Sequence, residues 1–568
     1  MTFLKGQRRL IIDTIMLGVV GALSARLFTF LLEIAQRILI NGLAGYYAPG
    51  LPNEGGGLEQ IVGPYGLWLI PLVTTLGGLL SGLLVYSFAP EAEGHGTDTA
   101  VKAFHHVGGY IRSRVPPLKM VASAITIGSG GAAGREGPTA LISAGIGSIY
   151  ASLTNRSDEE RRLLVLIGMA AGLSAIFRSP IGTAIFAIEV LYSGMESDVG
   201  ALLYTMLGSV VAYAINGLFV GFEPLFRVPA MALPGFLDYG WYILLGLVAG
   251  VIGTLLPMAF YGLRDVFHRI PIPPHFKPAI GGLGVGLLAL AVPQVLGGGY
   301  GWIQRAIDGQ MALGLLFTLV FAKMLAFTLT VSSGGSGGVF APSLYVGAMT
   351  GGFLAALFGL PPAAFVVVGM AAVFSGAARV PIATLLMVTE MTDGFHLLVP
   401  AALAVTLSYL VQSRLSAQLK YWSLYEMQVP GRPDSPAHYH EQLEAALRLL
   451  HQDVTLPETF SHLDLLALLR SGIPLDLPDG KQLAVGLVGP EMDGVGQRLG
   501  EVFPRNGHSN GVEIAAVLRQ NKTLLPEPDI ELRAGDQLLA VTSPQAWQRM
   551  NPNFAALTPR ENGREKSL

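Results

Sequence analysis

Two glycine-rich stretches in this chain have residue types and spacing that could hold an anion without a fixed positive charge. One is Gly128-Ser-Gly-Gly-Ala-Ala-Gly-Arg-Glu-Gly-Pro138; the other is Ser332-Ser-Gly-Gly-Ser-Gly-Gly-Val-Phe-Ala-Pro342. Each runs from non-helical backbone into a proline, a residue favoured in the first turn of a helix, so each is expected to open one. The first backbone N–H groups of such a helix have no intrahelical acceptor and carry the positive end of its dipole. Deep in a membrane they attract an anion, and their partial charge lets it leave again. The competing reading is that these glycines serve only close helix packing. No Gly-Lys-Ser/Thr follows either stretch, so neither is a P-loop, and neither follows a soluble strand as a dinucleotide fingerprint would. Glu136 lies in the first stretch where the second has Phe340. An ionisable side chain inside a membrane is a functional candidate by default. Ionised, its carboxylate could take the anion's own place; protonated, it would let go. One residue would then be gate and proton carrier, unless it only pairs with the adjacent Arg135.

Such loops need apolar helices to present them, and the composition provides these. Charged residues are 13% of the chain and hydrophobic ones 51%, against ~25% charged in soluble domains. The 72 glycines suit close helix contacts and broken helices alike. Apolar segments run from Leu10 to about Leu419, among them Leu67 to Tyr86, Tyr242 to Phe260, Ile280 to Val292 and Leu313 to Thr330. Several are too short or too interrupted to cross ~30 Å directly, as expected where helices enter only part-way. Lys5, Arg8 and Arg9 precede the first segment, which runs on too far, with Arg26 inside it, for a cleaved signal peptide. It reads as the first membrane helix, with both termini cytoplasmic and the protein in the plasma (inner) membrane. A net charge of -3 suggests no nucleic-acid partner. The absence of cysteine excludes disulfides and thiolate metal sites. No metal-ligand cluster or nucleophile–base pattern stands out in the membrane part, so neither an enzyme nor a cofactor is expected.

The two stretches belong to an internal repeat. Lys119 to Pro138 matches Lys323 to Pro342 at nine of 20 positions, without a gap and 204 residues apart. Gly168-Met-Ala-Ala-Gly-Leu-Ser-Ala-Ile-Phe-Arg-Ser-Pro-Ile181 pairs in the same way with Gly369 to Ile382, 201 residues on, and Glu189 and Glu390 follow at matching distances. Two blocks in one order mean a duplicated unit of about 200 residues. Paired, glycine-interrupted apolar segments in two halves are the sequence pointer to a transporter's binding site. Glu189, Glu390, Arg178 and Arg379 repeat between halves and are expected to serve packing and helix ends. Lys119 and Lys323 repeat too, with simple charge pairing as the expected role and added positive potential along an anion path as the alternative.

At this point the Gly-Arg-Glu-Gly-Pro run at 134–138 and the Gly-Gly-Val-Phe-Ala-Pro run at 337–342 resemble two of three signatures of the CLC family of chloride channels and chloride/proton exchangers. The resemblance covers roughly residues 10–428. It implies an all-α polytopic membrane protein of two inverted repeats, about 10–225 and 235–428, working as a homodimer with one pore per subunit. It implies a transport domain over 1–428 that moves chloride or a similar small anion. It also implies anion coordination by the backbone N–H groups of Val339 and Phe340, with Glu136 as the external gate. The third signature, usually Gly-Ser-Gly-Ile-Pro, departs here to Gly94-His-Gly-Thr-Asp98. His95 then stands where the family's serine contacts the anion. Its imidazole could donate a hydrogen bond or a charge, or the N–H of Gly96 could coordinate alone. Tyr425 fits the family's tyrosine contact, with Tyr421 as competitor. Exchangers of the family use a second, inner glutamate for protons; Glu223 lies at about the right distance after Glu189. Exchanger and passive channel both stay open on this evidence, and a tail-regulated cation transporter is disfavoured because no Thr-Val-Gly-Tyr-Gly filter is present.

After about Tyr421 charge and loop residues rise, and residues 429–568 read as a cytoplasmic domain. Glu441 to Leu450 shows leucine periodicity, and Val512 to Val541 alternates apolar and polar residues around turn signals, as short strands do. Val512-Glu-Ile-Ala-Ala-Val-Leu-Arg519, with Leu532-Arg-Ala-Gly-Asp-Gln-Leu-Leu-Ala540, resembles the TrkA-C (RCK-C) domain over about 480–545. That resemblance implies a small soluble α/β module that either binds a small regulatory ligand or only dimerises.

Overall fold

The computed structural model describes residues 2–229 and 234–437 and, beyond them, 475–476, 482–489, 495–503, 512–519, 522–524, 526–543 and 546. The chain divides into two units, Met1–Phe104 with Gly109–Gly431, and His105–Gly108 with Arg432–Leu568.

The membrane part is mostly helical. Its first half contains α1 (Thr2–Gln36), α2 (Ile70–Phe88), α3 (Thr97–His106), α4 (Val115–Gly128), α5 (Glu136–Leu153), α6 (Asp158–Phe177), α7 (Pro180–Glu189) and α8 (Val199–Val220). Its second half contains α9 (Tyr239–Arg269), α10 (Lys277–Ala291), α11 (Tyr300–Ile307), α12 (Leu313–Ser332), α13 (Phe340–Phe358), α14 (Pro362–Ala378), α15 (Pro381–Thr392) and α16 (Leu398–Ser416). Among the described residues, seven helical stretches are long and apolar enough to cross a bilayer, while α4, α7, α14 and α15 are shorter. The protein is a multi-pass integral membrane protein.

Local sequence explains where the key helices start and stop. Ser157 caps α6 by accepting the N–H of Glu160, and Asp158, Glu159 and Glu160 place negative charge at its positive end. The helix stops at Arg178, which takes a left-handed conformation with φ 55°, and Pro180 cannot extend it backwards. Its counterpart α14 stops the same way at Arg379, φ 56°, before Pro381. The repeated arginines are therefore helix ends, and each ties its corner to the chain beyond. Arg178 donates to the carbonyls of Glu223 (2.8 Å) and Asn53 (3.1 Å), and Arg379 to Gln412 (3.2 Å) and Ser416 (2.8 Å).

Helices α4 to α7 correspond to α12 to α15, and their contacts fix the relation between the halves. The carboxylate of Glu390, near the end of α15, accepts the N–H groups of Ile181 (3.1 Å) and Gly182 (2.9 Å) at the start of α7. Glu189, at the end of α7, accepts those of Ile382 (3.1 Å) and Ala383 (2.7 Å) at the start of α15. Each helix end meets the other's beginning, so the two helices run oppositely. Gly134 and Gly338 bridge as an antiparallel pair. The repeats are inverted.

In the second unit the described strands β3 (Leu475–Asp476), β4 (Gln482–Leu487), β5 (Val512–Arg519), β6 (Lys522–Leu524) and β7 (Gln537–Thr542) form one antiparallel sheet in the order β3-β4-β7-β5-β6. Two short strands in the membrane part, β1 (Tyr46–Tyr47) and β2 (Ile61–Val62), pair with each other. The alternation read between Val512 and Val541 is thus β5, β6 and β7. Val488, Leu499, Val517, Leu532 and Leu538 form the tail's core. Arg519 reaches the buried Asp536 with both its Nε (2.8 Å) and a terminal nitrogen (2.7 Å), the bidentate geometry that makes such a pair specific. The Glu441 to Leu450 segment lies outside the described residues.

Candidate functional site: three helix ends at one point

Three loops bring the starts of α3, α5 and α13 together. The N–H of Gly134 donates to the carbonyl of Gly338 (2.8 Å), and that of Gly338 returns a bond to Gly134 (2.7 Å). Gly337 donates to the carbonyl of Gly94 (3.1 Å), which ties in the loop before α3. The loops touch so closely that a side chain at Gly137 would collide with the carbonyl of His95 and lie 3.0 Å from the Cα of Gly338. Gly96 turns with φ +87°, a conformation that costs glycine little and other residues much. Three sets of unpaired N–H groups with three positive dipole ends now share one neighbourhood. Val339 and Phe340 begin α13 there, and both are buried.

Two buried lysines hold the loops. Lys119 donates to the carbonyls of Ala92 (3.0 Å) and Gly94 (2.7 Å), and Lys323 to those of Val295 (2.7 Å) and Gly297 (2.6 Å). Each therefore pins the loop before a short helix, α3 in one repeat and α11 in the other. Charge pairing was the expected role; these bonds instead engage two of each ammonium's three donors with backbone carbonyls, which makes the burial tolerable.

Glu136 is the first residue of α5 and is 1% exposed. The hydroxyl of Tyr300, at the start of α11, donates to its Oε1. Its Oε2 has no hydrogen-bond partner among the described residues. That oxygen lies over Gly134, at a point where an added methyl would also stand 3.1 Å from the N atom of Ala341 in the first turn of α13. The carboxylate is thus folded back toward the same helix end that would hold an anion. Arg135 does not pair with it. Arg135 instead bonds Glu54 at 2.5 Å and lies 5.6 Å above the Tyr300 ring.

The predicted anion contacts fall around this point. The Phe340 ring packs on Phe177 (4.4 Å) and Phe374 (4.1 Å), with Phe186 at 6.1 Å. Phe186 lies 6.3 Å from Tyr425, and Tyr425 lies 5.5 Å from His95. One aromatic row joins the two loops to the terminal segment. Tyr421, the competitor, stacks on Tyr261 at 4.1 Å and accepts from Arg264 instead. His95 is buried, with Nε2 3.0 Å from Asp98 Oδ2.

Glu223 is the expectation that needs correction. It follows α8, a helix of 22 residues, about 33 Å long at ~1.5 Å per residue. The other end of α8 adjoins the end of α7, where Ser193 bonds Val429 (2.8 Å), close to the exit of the membrane unit at Gly431. Glu223 therefore lies on the opposite side, where Arg178 joins it to Asn53, next to the Glu54–Arg135 pair. Spacing along the chain suggested an inner role, but a spanning helix intervenes. Tyr300, Glu54 and Asp98 are the site residues that sequence reasoning missed. Only the triple glycine at 297–299, ahead of Tyr300, offered a signal.

With this geometry in view, residues 77–413 match the family described as voltage gated chloride channel, and residues 490–555 match the TrkA-C domain. The H(+)/Cl(-) exchange transporter ClcA of Citrobacter koseri is 33% identical over 352 residues, which are 59% of this chain and 74% of that protein. The same-named transporter of Cronobacter sakazakii is 31% identical over 363 residues, 61% of this chain and 77% of its own. The fold also resembles a solved CLC-type fluoride/proton antiporter, with TM-score 0.62 and 22% identity over 74% of this chain and 98% of that one. It resembles a slow cyanobacterial Cl-/H+ antiporter, with TM-score 0.63 and 23% identity over 72% and 95%. The inverted repeats, the paired Gly-rich helix starts and these matches lead to one assignment: the chain belongs to the CLC family, the voltage gated chloride channel family, and carries a TrkA-C domain after its membrane part.

Proposed function

We propose that this protein exchanges a small anion, chloride in the first instance, for protons across the plasma (inner) membrane, with Glu136 as both gate and proton carrier. The observation that carries this reading is the position of the Glu136 carboxylate, folded over Gly134 toward the first turn of α13. An anion held by the N–H groups of Val339 and Phe340, with Gly96, His95 and Tyr425 around it, needs the same helix-end field. Carboxylate and anion then compete. A proton on Glu136 removes its charge and its claim on that field, so the proton leaves with the side chain as the anion enters. This is differential binding of two states, as coupling requires. Kinship with exchangers supports the proton step. On the family's pattern the protein works as a homodimer with both termini cytoplasmic. The TrkA-C domain, within the tail from 429 onward, serves either a small regulatory ligand or dimerisation.

A passive anion channel is the second reading, and the place of Glu223 favours it, since that residue cannot carry protons in from the tail side. The deciding experiment loads purified protein into liposomes with a chloride gradient and follows outside pH. Protons driven uphill by chloride are the expected result. Glu223→Gln is expected to keep the wild-type number of protons per chloride. Chloride flux with no proton movement would establish the channel instead. Absent chloride flux would direct the assay to nitrate, bicarbonate and fluoride, with His95 as the first residue to change.

A further inference from the structure

Exchange requires a titratable route from Glu136 to the side where the membrane unit ends. His95, in the loop before α3, and Asp98, three residues on in the first turn of that helix, lie along such a route. His95 Nε2 is 3.0 Å from Asp98 Oδ2, and Nδ1 is buried with no hydrogen-bond partner among the described residues. His95 is only 6% exposed. A buried polar atom without a partner is costly, and in native sites it usually has a task. On the gate side, the His95 carbonyl packs against Gly137, the residue after Glu136. The imidazole stands edge-on to Tyr425 at 5.5 Å and Phe260 at 6.1 Å. On the far side, Asp98 accepts the N–H groups of Glu426 (3.2 Å) and Met427 (3.3 Å), shortly before the unit ends at Gly431. Its side chain is 19% exposed, and Glu426 pairs with Arg264 of α9 beside it, also partly exposed. The pair thus reaches from the gate's backbone to groups that meet solution.

We propose that Asp98 and His95 are the proton relay between that solution and Glu136, the part that spacing alone gave to Glu223. This rests on the exchange reading. A proton from the tail-side solution adds to the Asp98 carboxylate. Its O–H bond breaks as Nε2–H forms, Nδ1–H breaks in turn, and the released proton enters the anion path, where Glu136 accepts it. Transfer of the new Nε2 proton to Nδ1 through water in the anion path restores the starting tautomer without net change in protons, so over the cycle one proton enters and one leaves. Among the described residues, the charged groups near the relay include Lys119 from α4, which is occupied by the carbonyl of Gly94, Glu136 from α5, Arg264 from α9, and Glu426. Glu93, one residue before Gly94, is the other nearby carboxylate in sequence. The dyad is also more than a lining for the anion, because Asp98 would repel an anion rather than hold one.

The test is the number of protons moved per chloride by the full chain in liposomes, a ratio that a slowing common to both ions leaves unchanged. Asp98→Asn and His95→Ser are expected to lower that ratio by about a hundredfold, the scale of lost acid–base transfer. Asp98→Glu, which restores a carboxylate, is expected to recover most of it. A merely structural role would slow both fluxes together, leave the ratio intact, and treat Asp98→Asn and Asp98→Glu alike; that pattern would overturn the relay. Should Asp98→Asn fail to fold, His95→Ser carries the test, since serine is what the family ordinarily places there. A wild type that moves no protons overturns the exchange reading itself, a result distinct from a coupled wild type whose relay variants stay coupled.

Discussion

Glu136→Gln is expected to move anions with no proton flux, the largest functional change any single substitution should produce here. Glutamine is neutral at every pH, keeps the side chain's length, and cannot carry a proton. It also cannot compete as a charge for the first turn of α13. Chloride should therefore bind more tightly in the variant, measured by titration calorimetry. Tyr300→Phe should give a graded form of the same effect. The Tyr300 hydroxyl donates to Glu136 Oε1, and a hydrogen bond to a charged group contributes about 1.5–3 kcal/mol. Its loss should favour the anion over the carboxylate by roughly ten- to a hundredfold. Phenylalanine keeps the ring against Phe226, 5.7 Å away, so packing is preserved. Arg135, held by Glu54 and set over that ring, should stay in place. If chloride affinity in Tyr300→Phe equals that of wild type, Tyr300 is packing and the gate is held by something else. If Glu136→Gln still couples protons, the gate is another residue.

What could be read from sequence was whatever repeats. The two Gly-rich stretches announced helix starts because glycine and proline carry their backbone preferences with them. The duplication revealed the halves, and Glu189 and Glu390 were legible as helix-end residues because they recur at one distance. Lys119 and Lys323 were recognisable as a pair, but their partners were not, since backbone carbonyls leave no mark in a sequence. Tyr300 stands 164 positions from Glu136, and no local pattern connects them. Asp98 was hidden inside a departure from the family's pattern, next to His95, which drew the attention. Glu223 shows the opposite failure. Its spacing after Glu189 matched an expected role, yet spacing says nothing about which side of a membrane a residue reaches. The spanning helix α8 decides that.

The second large effect concerns stability, and the crossed helix caps produce it. Glu390→Ala removes a carboxylate that accepts three bonds, from Ser179 Oγ at 2.5 Å, Ile181 N–H at 3.1 Å and Gly182 N–H at 2.9 Å. Glu189→Ala removes one that accepts two, from Ile382 at 3.1 Å and Ala383 at 2.7 Å. Each loss strips the first turn of the opposite repeat's helix of its charged acceptor, and the N–H of Ala383 loses its partner in a buried position. Charge-assisted bonds of this kind contribute about 1.5–3 kcal/mol each, so either variant should lose several kcal/mol, with Glu390→Ala losing more. Glu159→Ala, at an exposed carboxylate in the first turn of α6, should lose well under half as much. Thermal unfolding in detergent reads the order directly. The two caps join the same pair of helices, so the double variant should lose less than the sum of the singles. Strict additivity would mean that the caps act separately and the inverted halves are held together elsewhere. The consequence also reaches the anion. α7 carries Phe186, which lies between Phe340 and Tyr425, so a slackened start of α7 should weaken chloride binding in Glu390→Ala before the protein unfolds. Unfolding at the wild-type temperature in both single variants would show that the caps are geometry without energetic weight.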